Sequence, residues 1–324
     1  MASIRPYLLA AALSLTVIAC GDDGGGTVIP EGEHYQYVSS KANVPTNNNQ
    51  AREFGLDLNG DKVVDNQLGM VLGTLATMGF DIQGTIDEAV AEGSIILLVD
   101  FQTKDFTSTS AAGIKILLGD MPMPQPCTDP LMPTIPTCGK HLAGTGTFTI
   151  SANSPQTAAL GGKIINGTFT GGPGDISLQI ALGGTDAIQL DLIGARAKAS
   201  GISPDGITSV VLAGALTESD LNAKVIPAIA TQLDPTIDGD CTMRTMPQAP
   251  INCGCMAGST GKTVLDLFDG GDGTAKDCTV SVAEITQNSL IQSLLAPDVT
   301  IDGVKALSLG IKVEAKKATF PAQI

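Results

Sequence analysis

The stretch Gly162-Lys-Ile-Ile-Asn-Gly-Thr-Phe-Thr-Gly-Gly172 decides the fold that the sequence predicts. Asn166-Gly167 stands between two runs rich in β-branched and aromatic residues, and this dipeptide favours the tight turn of an antiparallel hairpin. Apolar residues alternate with mostly polar ones again over residues 176–182 and 188–192. A period of two with short glycine-rich turns indicates an antiparallel sheet that is buried on one face.

Segments on both sides of this hairpin add strands and helices. Apolar runs predict further strands at 95–99, 114–118, 207–216 and 304–320. Helical spacing or capping residues predict helices at 66–78, at 86–92 after a capping box at Thr85, at 217–233 with a kink at Pro227, at 263–268 and at 282–295. The predicted fold class is α+β: an antiparallel sheet, either a sandwich or a half-barrel, with packed helices and a small Cys-rich, EF-hand-like helical segment.

The N-terminus has the pattern of an export signal. A short basic start with Arg5 is followed by an apolar run at 7–19 and then by Cys20. This run is too short to remain as a membrane-spanning helix. Val17-Ile-Ala-Cys20 resembles the lipobox of bacterial lipoproteins, and the resemblance implies that residues 1–19 are removed and that Cys20 carries the lipid. An ordinary signal peptide with an incidental cysteine is the alternative.

The domain organisation follows from composition. In the resembling family, Asp directly after the cysteine favours the inner membrane, so Gly21 implies an outer-membrane lipoprotein with its anchor on the periplasmic or cell-surface face. Residues 20–50 are polar and read as a flexible tether with a reach on the order of 30 Å. We expect a first unit at 51–233 and a Cys-rich unit at 234–324, because Cys and Asp become frequent near residue 234.

Charge and aromatic content restrict the partners. The chain has 18 Lys and Arg against 33 Asp and Glu, a net charge of −15. Such a chain repels nucleic acid and anionic membrane surfaces, and divalent cations are its natural counterions. It contains no Trp and three Tyr, so it has little surface on which sugars or bases could stack. The expected partners are a membrane, through the lipid anchor, and calcium, with no nucleic acid.

Six cysteines remain after Cys20, and an even number in an exported protein indicates three disulfides. Cys127–Cys138 is the expected first pair because it closes a short proline-rich loop. The other four would tie one segment together; they are Cys241, Cys253, Cys255 and Cys278. Zinc at Cys253-Gly-Cys255 is the weaker alternative, since the spacing is not the usual C-x-x-C and the compartment is oxidising.

A first acidic loop has the ligand spacing of a calcium site. Oxygen-bearing side chains occupy loop positions 1, 3, 5 and 9, and the backbone carbonyl of position 7 completes the set: Asp57, Asn59, Asp61, Asp65 and Val63. The spacing resembles the loops of EF-hands, dockerins and thrombospondin type 3 repeats. The chain departs from this pattern at position 6, where Lys62 replaces Gly, and at position 12, where Leu68 replaces Glu.

A seventh ligand of a calcium ion in this loop would have to be water or a carboxylate from elsewhere in the chain. Asp81 and Asp87 are the nearest candidates along the chain. The alternative interpretation of the loop is a solvated turn before a helix whose dipole favours Asp.

A second acidic loop ends in Glu284. Counted back from Glu284 at position 12, Asp277 and Ser281 fall at positions 5 and 9, and Asp272 fits if the loop holds one extra residue. The spacing resembles an EF-hand loop and makes this a second candidate calcium site. A capping box from Ser281 to Glu284 explains part of the pattern without a metal.

The sequence favours a binding or structural role and no enzymatic one. A Ser-His-Asp site needs a positioned histidine, and the two histidines are expected in the tether (His34) and in a loop (His141). We expect a calcium-stabilised, disulfide-stapled surface lipoprotein, and the chain also resembles uncharacterised exported bacterial lipoproteins with the same Asp-x-Asn-Gly-Asp loop. Two alternatives remain: a carrier of an apolar, lipid-like ligand and a hydrolase that uses two carboxylates.

Overall fold

The computed structural model describes residues 28–77, 81–126, 139–155, 159–180, 187–244 and 252–322. The strands are β1 (Glu33–Asn43), β2 (Leu97–Thr103), β3 (Thr109–Met123), β4 (Gly146–Ile150), β5 (Ala159–Ile165), β6 (Thr168–Ile180), β7 (Ile188–Ser203), β8 (Gly206–Thr217), β9 (Val299–Ile301) and β10 (Val304–Thr319). The helices are α1 (Asn48–Glu53), α2 (Gln67–Thr77), α3 (Ile82–Glu92), α4 (Glu218–Asp220), α5 (Ile226–Asp240), α6 (Thr260–Phe268), α7 (Val282–Gln287) and α8 (Ser289–Leu294).

Eight of the strands close into an antiparallel β-barrel. They follow one another in the order β1-β2-β3-β5-β6-β7-β8-β10, and β10 pairs back onto β1. The short strands lie outside this ring: β4 pairs with the ends of β3 and β10, and β9 pairs with the start of β10. The predicted sandwich or half-barrel with a helix-packed α+β core is therefore wrong. Alternation shows that one face of a sheet is buried, but it does not show whether the sheet closes on itself.

The closing strand β1 lies in the segment that composition assigned to the tether. Its inward face carries Tyr35 and Tyr37, and Tyr37 is fully buried. The predicted tether at 20–50 is therefore too long, because residues 33–43 form a strand of the barrel. The boundary predicted near residue 234 falls inside α5, and β10 returns to the barrel after it. Polar composition misled both predictions, since half of each barrel strand faces water.

Side chains fill the interior of the barrel. Tyr37, Phe101 and Phe169 are fully buried, and the Phe101 and Phe169 rings meet edge to face with centroids 5.2 Å apart. The Tyr37 hydroxyl donates to the carbonyl oxygen of Ser203 at 2.7 Å, which satisfies the polar tip of this ring. The interior is thus a packed core of aliphatic and aromatic side chains.

Two helical segments are inserted between barrel strands, one between β1 and β2 and the other between β8 and β9. Both insertions start and finish at the same end of the barrel. Their apolar residues share one continuous core with the inward-facing residues of the strands. Helices predicted at 66–78 and 263–268 are confirmed, whereas the one predicted at 282–295 is two short helices, α7 and α8, separated by the extended residue Asn288. The helix expected at 86–92 begins earlier, at Ile82, because the Asp81 side chain caps it instead of Thr85. No helix in the described ranges is both long enough and apolar enough to cross a membrane.

Candidate metal centre

The first acidic loop lies on the outer wall of the barrel between α1 and α2. An antiparallel bridge between Leu56 and Asp65 closes the loop, and the Asp65 amide donates to the Leu56 carbonyl at 3.0 Å. Leu58, inside the loop, is buried against Ala213 and Ala306 on β8 and β10. Because these two alanines are small, they leave room for the Leu58 side chain. The loop is therefore closed by the Leu56–Asp65 bridge and fixed to the barrel wall by Leu58.

Asp57 organises the tip of this loop. Its Oδ1 accepts from the Gly60 amide at 2.7 Å, and its Oδ2 accepts from the Lys62 amide at 2.8 Å. Gly60 and Lys62 have φ angles of 85° and 70°. Lys62 thus adopts the left-handed conformation that glycine supplies at position 6 of an EF-hand loop.

The remaining polar residues follow the same winding. Asn59 Oδ1 accepts from the Asp61 amide at 3.0 Å, and Asp61 Oδ1 accepts from the Val63 amide at 2.7 Å. Asp65 Oδ2 accepts from the Leu58 amide at 2.7 Å. The structure therefore brings all five predicted ligand residues into one compact loop, with Val63 at its exposed side.

Asp65 lies in a strongly negative environment. Its side chain is buried, and burial raises the pKa of its carboxyl group; the charges of Asp298, Asp61 and Asp57 raise this pKa further. Within the residues that the structure describes, none of these four carboxylates forms an ion pair with Lys, Arg or His. The negative charge of the site is therefore not neutralised by a side chain.

Asp298 is the residue that the sequence did not reveal. It precedes β9, and it accepts from the amide and from the hydroxyl of Ser308 at 2.7 and 2.5 Å. More than 200 residues separate it from the loop along the chain, so no spacing rule could connect the two. The remote ligands expected from sequence have other partners: Asp81 caps α3, and Asp87 accepts from Gln83.

The loop has the donor chemistry of a calcium site. Calcium takes six to eight oxygen ligands, and carboxylate, amide and backbone oxygens are what Asp57, Asn59, Asp61, Val63 and Asp65 offer. Each carboxylate oxygen has a second lone pair after it accepts one backbone hydrogen bond. The types of oxygen in this loop match those that calcium prefers.

In the second acidic loop the carboxylates serve the backbone. Glu284 is buried, and its two oxygens accept from the amides of Gly270 and Ser281 at 2.6 and 2.7 Å. Ser281 and Glu284 form the capping box of α7 that the alternative interpretation described. Asp272 and Asp277 each accept from the amide and hydroxyl of a threonine two residues later.

Asp269, which the sequence interpretation omitted, lies at the centre of this second loop. It is buried, and it accepts from the amides of Asp277 and Cys278 at 2.9 and 3.1 Å. Burial raises the pKa of its carboxyl group, and the charges of Asp277 and Glu284 raise it further. Backbone amides thus already donate to the buried carboxylates of this second loop. It is therefore a weaker candidate metal site than the 57–65 loop.

Two disulfides tie the Cys-rich segment together, as predicted: Cys241–Cys255 and Cys253–Cys278. Cys253, Asp269 and Cys278 are close enough to hold a metal ion, within 4.8 Å of one another. Their sulfurs are bonded to each other, however, so this group offers no thiolate in the oxidised protein. The predicted lipidation residue Cys20 and the expected Cys127–Cys138 pair lie outside the described residues.

His34 lies on a strand where the sequence predicted a tether, whereas His141 lies in a connection before a strand, as the sequence predicted. His34 is on β1, and its Nδ1 lies 2.9 Å from the buried carboxylate of Asp100. His141 is buried in a short 3₁₀ turn (Lys140–Leu142), and burial lowers the pKa of its imidazole.

The strongest candidate site is therefore the 57–65 loop together with Asp298, fixed to the outer wall of a closed barrel. Its evidence is the winding of the loop around its own carboxylates and the lack of a described Lys, Arg or His paired with them; within the described residues, no three of these carboxylates bring their oxygens within 4.8 Å of one another. Comparisons of the chain with protein-family models, with curated proteins and with solved structures found no match.

Proposed function

We propose that this protein is a membrane-anchored, calcium-binding barrel that serves as a binding or structural module and not as an enzyme. In this proposal Cys20 carries the lipid, and the barrel stands on the periplasmic or surface face of an outer membrane. The observation that carries the calcium part is the acidic 57–65 loop, with Asp298 held near its end: the Ser308 hydroxyl donates to Asp298 and accepts from the amide of Gln67, two residues after Asp65. A divalent cation would offset a concentration of charge that no described side chain neutralises.

The calcium ion would stabilise a seam in the barrel. β10 pairs with β9 at 304–306 and with β1 at 312–317, and Ser308 lies in the gap between them. Asp298 fills part of this gap through its two bonds to Ser308. An ion beside Asp65 would reduce the repulsion on Asp298, so we expect metal binding to stabilise the closed barrel.

The carrier alternative has less support. Fully buried side chains fill the barrel, and the apolar cavity between α2, α5 and α8 has a volume of about 40 Å³. Ligand pockets are roughly 300–1,000 Å³, so this cavity is too small for an acyl chain.

The hydrolase alternative has less support as well. Asp175 and Asp302 line one open groove, but Asp175 already accepts from the Gly194 amide at 3.2 Å.

Thermal unfolding with calcium and with a chelator tests the proposal. A ligand that binds only the folded state adds about 2.7 kcal/mol at a hundredfold excess over its dissociation constant. We expect calcium to raise the unfolding midpoint of the wild type and of Asp87→Asn, which removes one carboxylate at a distance from the loop. Asp298→Asn should lose most of the shift. An equal calcium shift in Asp298→Asn and in wild type would show that Asp298 does not contribute, and no shift in any protein would overturn the calcium proposal.

A further inference from the structure

Three cations gather on the outer wall of this acidic barrel. Lys163 on β5 pairs with Thr170 on β6, and Thr170 pairs with Lys198 on β7. Arg196 precedes Lys198 by two residues on the same face of β7. The three cations line one open groove of about 420 Å³ that also includes Val28 and Asp57. We call this surface the cationic groove.

No acidic side chain in the described part of the chain forms an ion pair with the three cations of the groove. Within the described ranges, Lys163, Arg196 and Lys198 form no ion pair and donate no side-chain hydrogen bond. The Nε of Arg196 is buried and has no acceptor there. A buried guanidinium donor without a partner costs free energy, and an anion in the groove would supply the acceptor.

The N-terminal segment leaves the barrel along the same surface. Gly113 and Gly161 pair across β3 and β5. A Cβ atom on Gly113 would lie 2.3 Å from Pro30, and one on Gly161 would lie 2.4 Å from the Val28 carbonyl oxygen. The two glycines therefore leave a channel that seats residues 28–30 against the wall, beside the cationic groove.

We propose that the cationic groove binds the phosphate of anionic lipid headgroups in the membrane that holds the lipid anchor. This inference rests on the proposed lipidation of Cys20. Seven residues stand between Cys20 and Val28, and the eight steps from one to the other span at most about 29 Å. The wall that carries Val28 is thus the part of the barrel held closest to the bilayer. The remaining surface is negatively charged and would turn away from anionic lipid, which favours one orientation of the barrel.

Charge complementarity favours the headgroup as the occupant. Arg and Lys are the side chains that bind phosphate oxygens, and the open groove admits a headgroup that remains partly in water. Asp57 stands at the rim of the groove, and a calcium ion in its loop would offset this one negative charge.

Vesicle co-sedimentation tests the inference on the mature chain, residues 20–324, with Cys20→Ser so that no lipid is attached. Vesicles of phosphatidylcholine are compared with vesicles in which about a third of the lipid is phosphatidylglycerol, at low salt. We expect binding to the anionic vesicles only. Each basic residue near a lipid surface contributes about 1 kcal/mol, so Lys163→Glu with Lys198→Glu should lower partitioning about tenfold or more. Lys316→Glu with Lys317→Glu makes the same charge change on β10 and is the matched control.

The results separate three questions: whether the groove binds headgroups, whether it binds free phosphate, and whether Cys20 carries a lipid. An equal loss in both double variants, or equal binding to both kinds of vesicle, would overturn the cationic groove as a headgroup site. Calorimetric binding of inorganic phosphate that depends on Lys163 and Lys198, without vesicle binding, would assign the groove to free phosphate and also overturn it. The mass of the N-terminal peptide of the exported wild-type protein tests the lipid anchor separately. An unmodified Cys20 would remove the anchoring proposal whatever the vesicles show.

Discussion

The side-chain amide of Asn66 clasps the backbone of Gly310: its Nδ2 donates to the Gly310 carbonyl oxygen at 3.0 Å, and its Oδ1 accepts from the Gly310 amide at 2.8 Å. Gly310 lies on β10 in the gap between its pairings with β9 and β1. Asn66 directly follows the last residue of the 57–65 loop. The Asn66 side chain thus makes the hydrogen bonds that a neighbouring strand would make to this part of β10. It also links the candidate calcium loop to β10.

Removal of this clasp should destabilise the barrel. Asn66 also donates to the Ala51 carbonyl and accepts from the Gly69 amide, so its four hydrogen-bonding positions are all used. We expect Asn66→Ala to lower the free energy of unfolding by about 3–5 kcal/mol, because it leaves buried backbone groups without partners. Urea unfolding measures this effect. Asn48→Ala on the exposed face of α1 is the control and should change stability by less than about 0.5 kcal/mol; a similar small change in Asn66→Ala would contradict the clasp.

The left-handed backbone at Lys62 predicts that a substitution there stabilises the protein, whereas Asn66→Ala destabilises it. A side chain at φ 70° is strained relative to glycine by roughly 1 kcal/mol. Lys62→Gly should therefore stabilise the protein by about that amount, and it should also strengthen calcium binding because a positive charge leaves the loop. Lys62→Ala removes the charge but keeps the strain, so it should strengthen calcium binding without the gain in stability. Equal stability of the glycine and alanine variants would contradict the strain at this position.

The raised pKa of Asp65 predicts how pH acts on the site. In the folded, calcium-free protein this pKa lies above its ordinary value of 3.8, so protonation of Asp65 favours the folded state. The contribution of Asp65 to stability is therefore fully present below pH 3.8 and is lost as pH rises through the raised pKa. Calcium needs the ionised carboxylate, so the stabilisation by calcium should shrink as pH falls through the same window.

Unfolding midpoints with and without calcium, measured as a function of pH, test the predicted direction of this pH dependence. Asp65→Asn isolates the contribution of Asp65 from that of Asp269, whose pKa is raised in the same direction. Without calcium, the difference in stability between wild type and Asp65→Asn should change in favour of wild type as pH falls. A constant difference would show that Asp65 does not titrate as the structure predicts.

The two disulfides should stabilise the Cys-rich segment by different amounts. In the chain-entropy description, a cross-link over 25 residues adds about 3.5 kcal/mol and one over 14 residues adds about 3 kcal/mol. Cys253→Ser with Cys278→Ser should therefore cost slightly more stability in urea than Cys241→Ser with Cys255→Ser. Wild-type stability in either double variant would contradict the assigned pairing.

Local features were predictable from the sequence because they depend on neighbours in the chain. The hairpin at Asn166-Gly167 is confirmed, with φ angles of 51° and 74° at its two turn residues. The cap of Thr217 on the following helix and the interruption before Pro227 are confirmed as well, and the interruption is a π-helical turn (Leu221–Val225). Turn and cap signals act over a few residues and need no knowledge of the fold.

Features that depend on closure were not predictable. The pairing of β1 with β10 joins residues more than 260 positions apart, and the polar composition of residues 33–43 concealed a strand. Separation along the chain also hid Asp298 from the acidic loop, and it kept Lys163 apart from Lys198, which follows 35 residues later. Alternation determines which face of a strand is buried, whereas the neighbours of a strand in a barrel follow from pairing over the whole chain.

Calorimetric titration of calcium into the metal-free protein tests the central proposal most directly. Wild type and Asp272→Asn, which changes only the second acidic loop, should bind calcium with similar affinity at the first loop. Asp57→Ala and Asp65→Asn should lose that binding, because they remove the acid that winds the loop and the acid buried at its base. Calcium binding that survives both of these substitutions, or no binding in the wild type, would contradict the assignment of residues 57–65 as a calcium site.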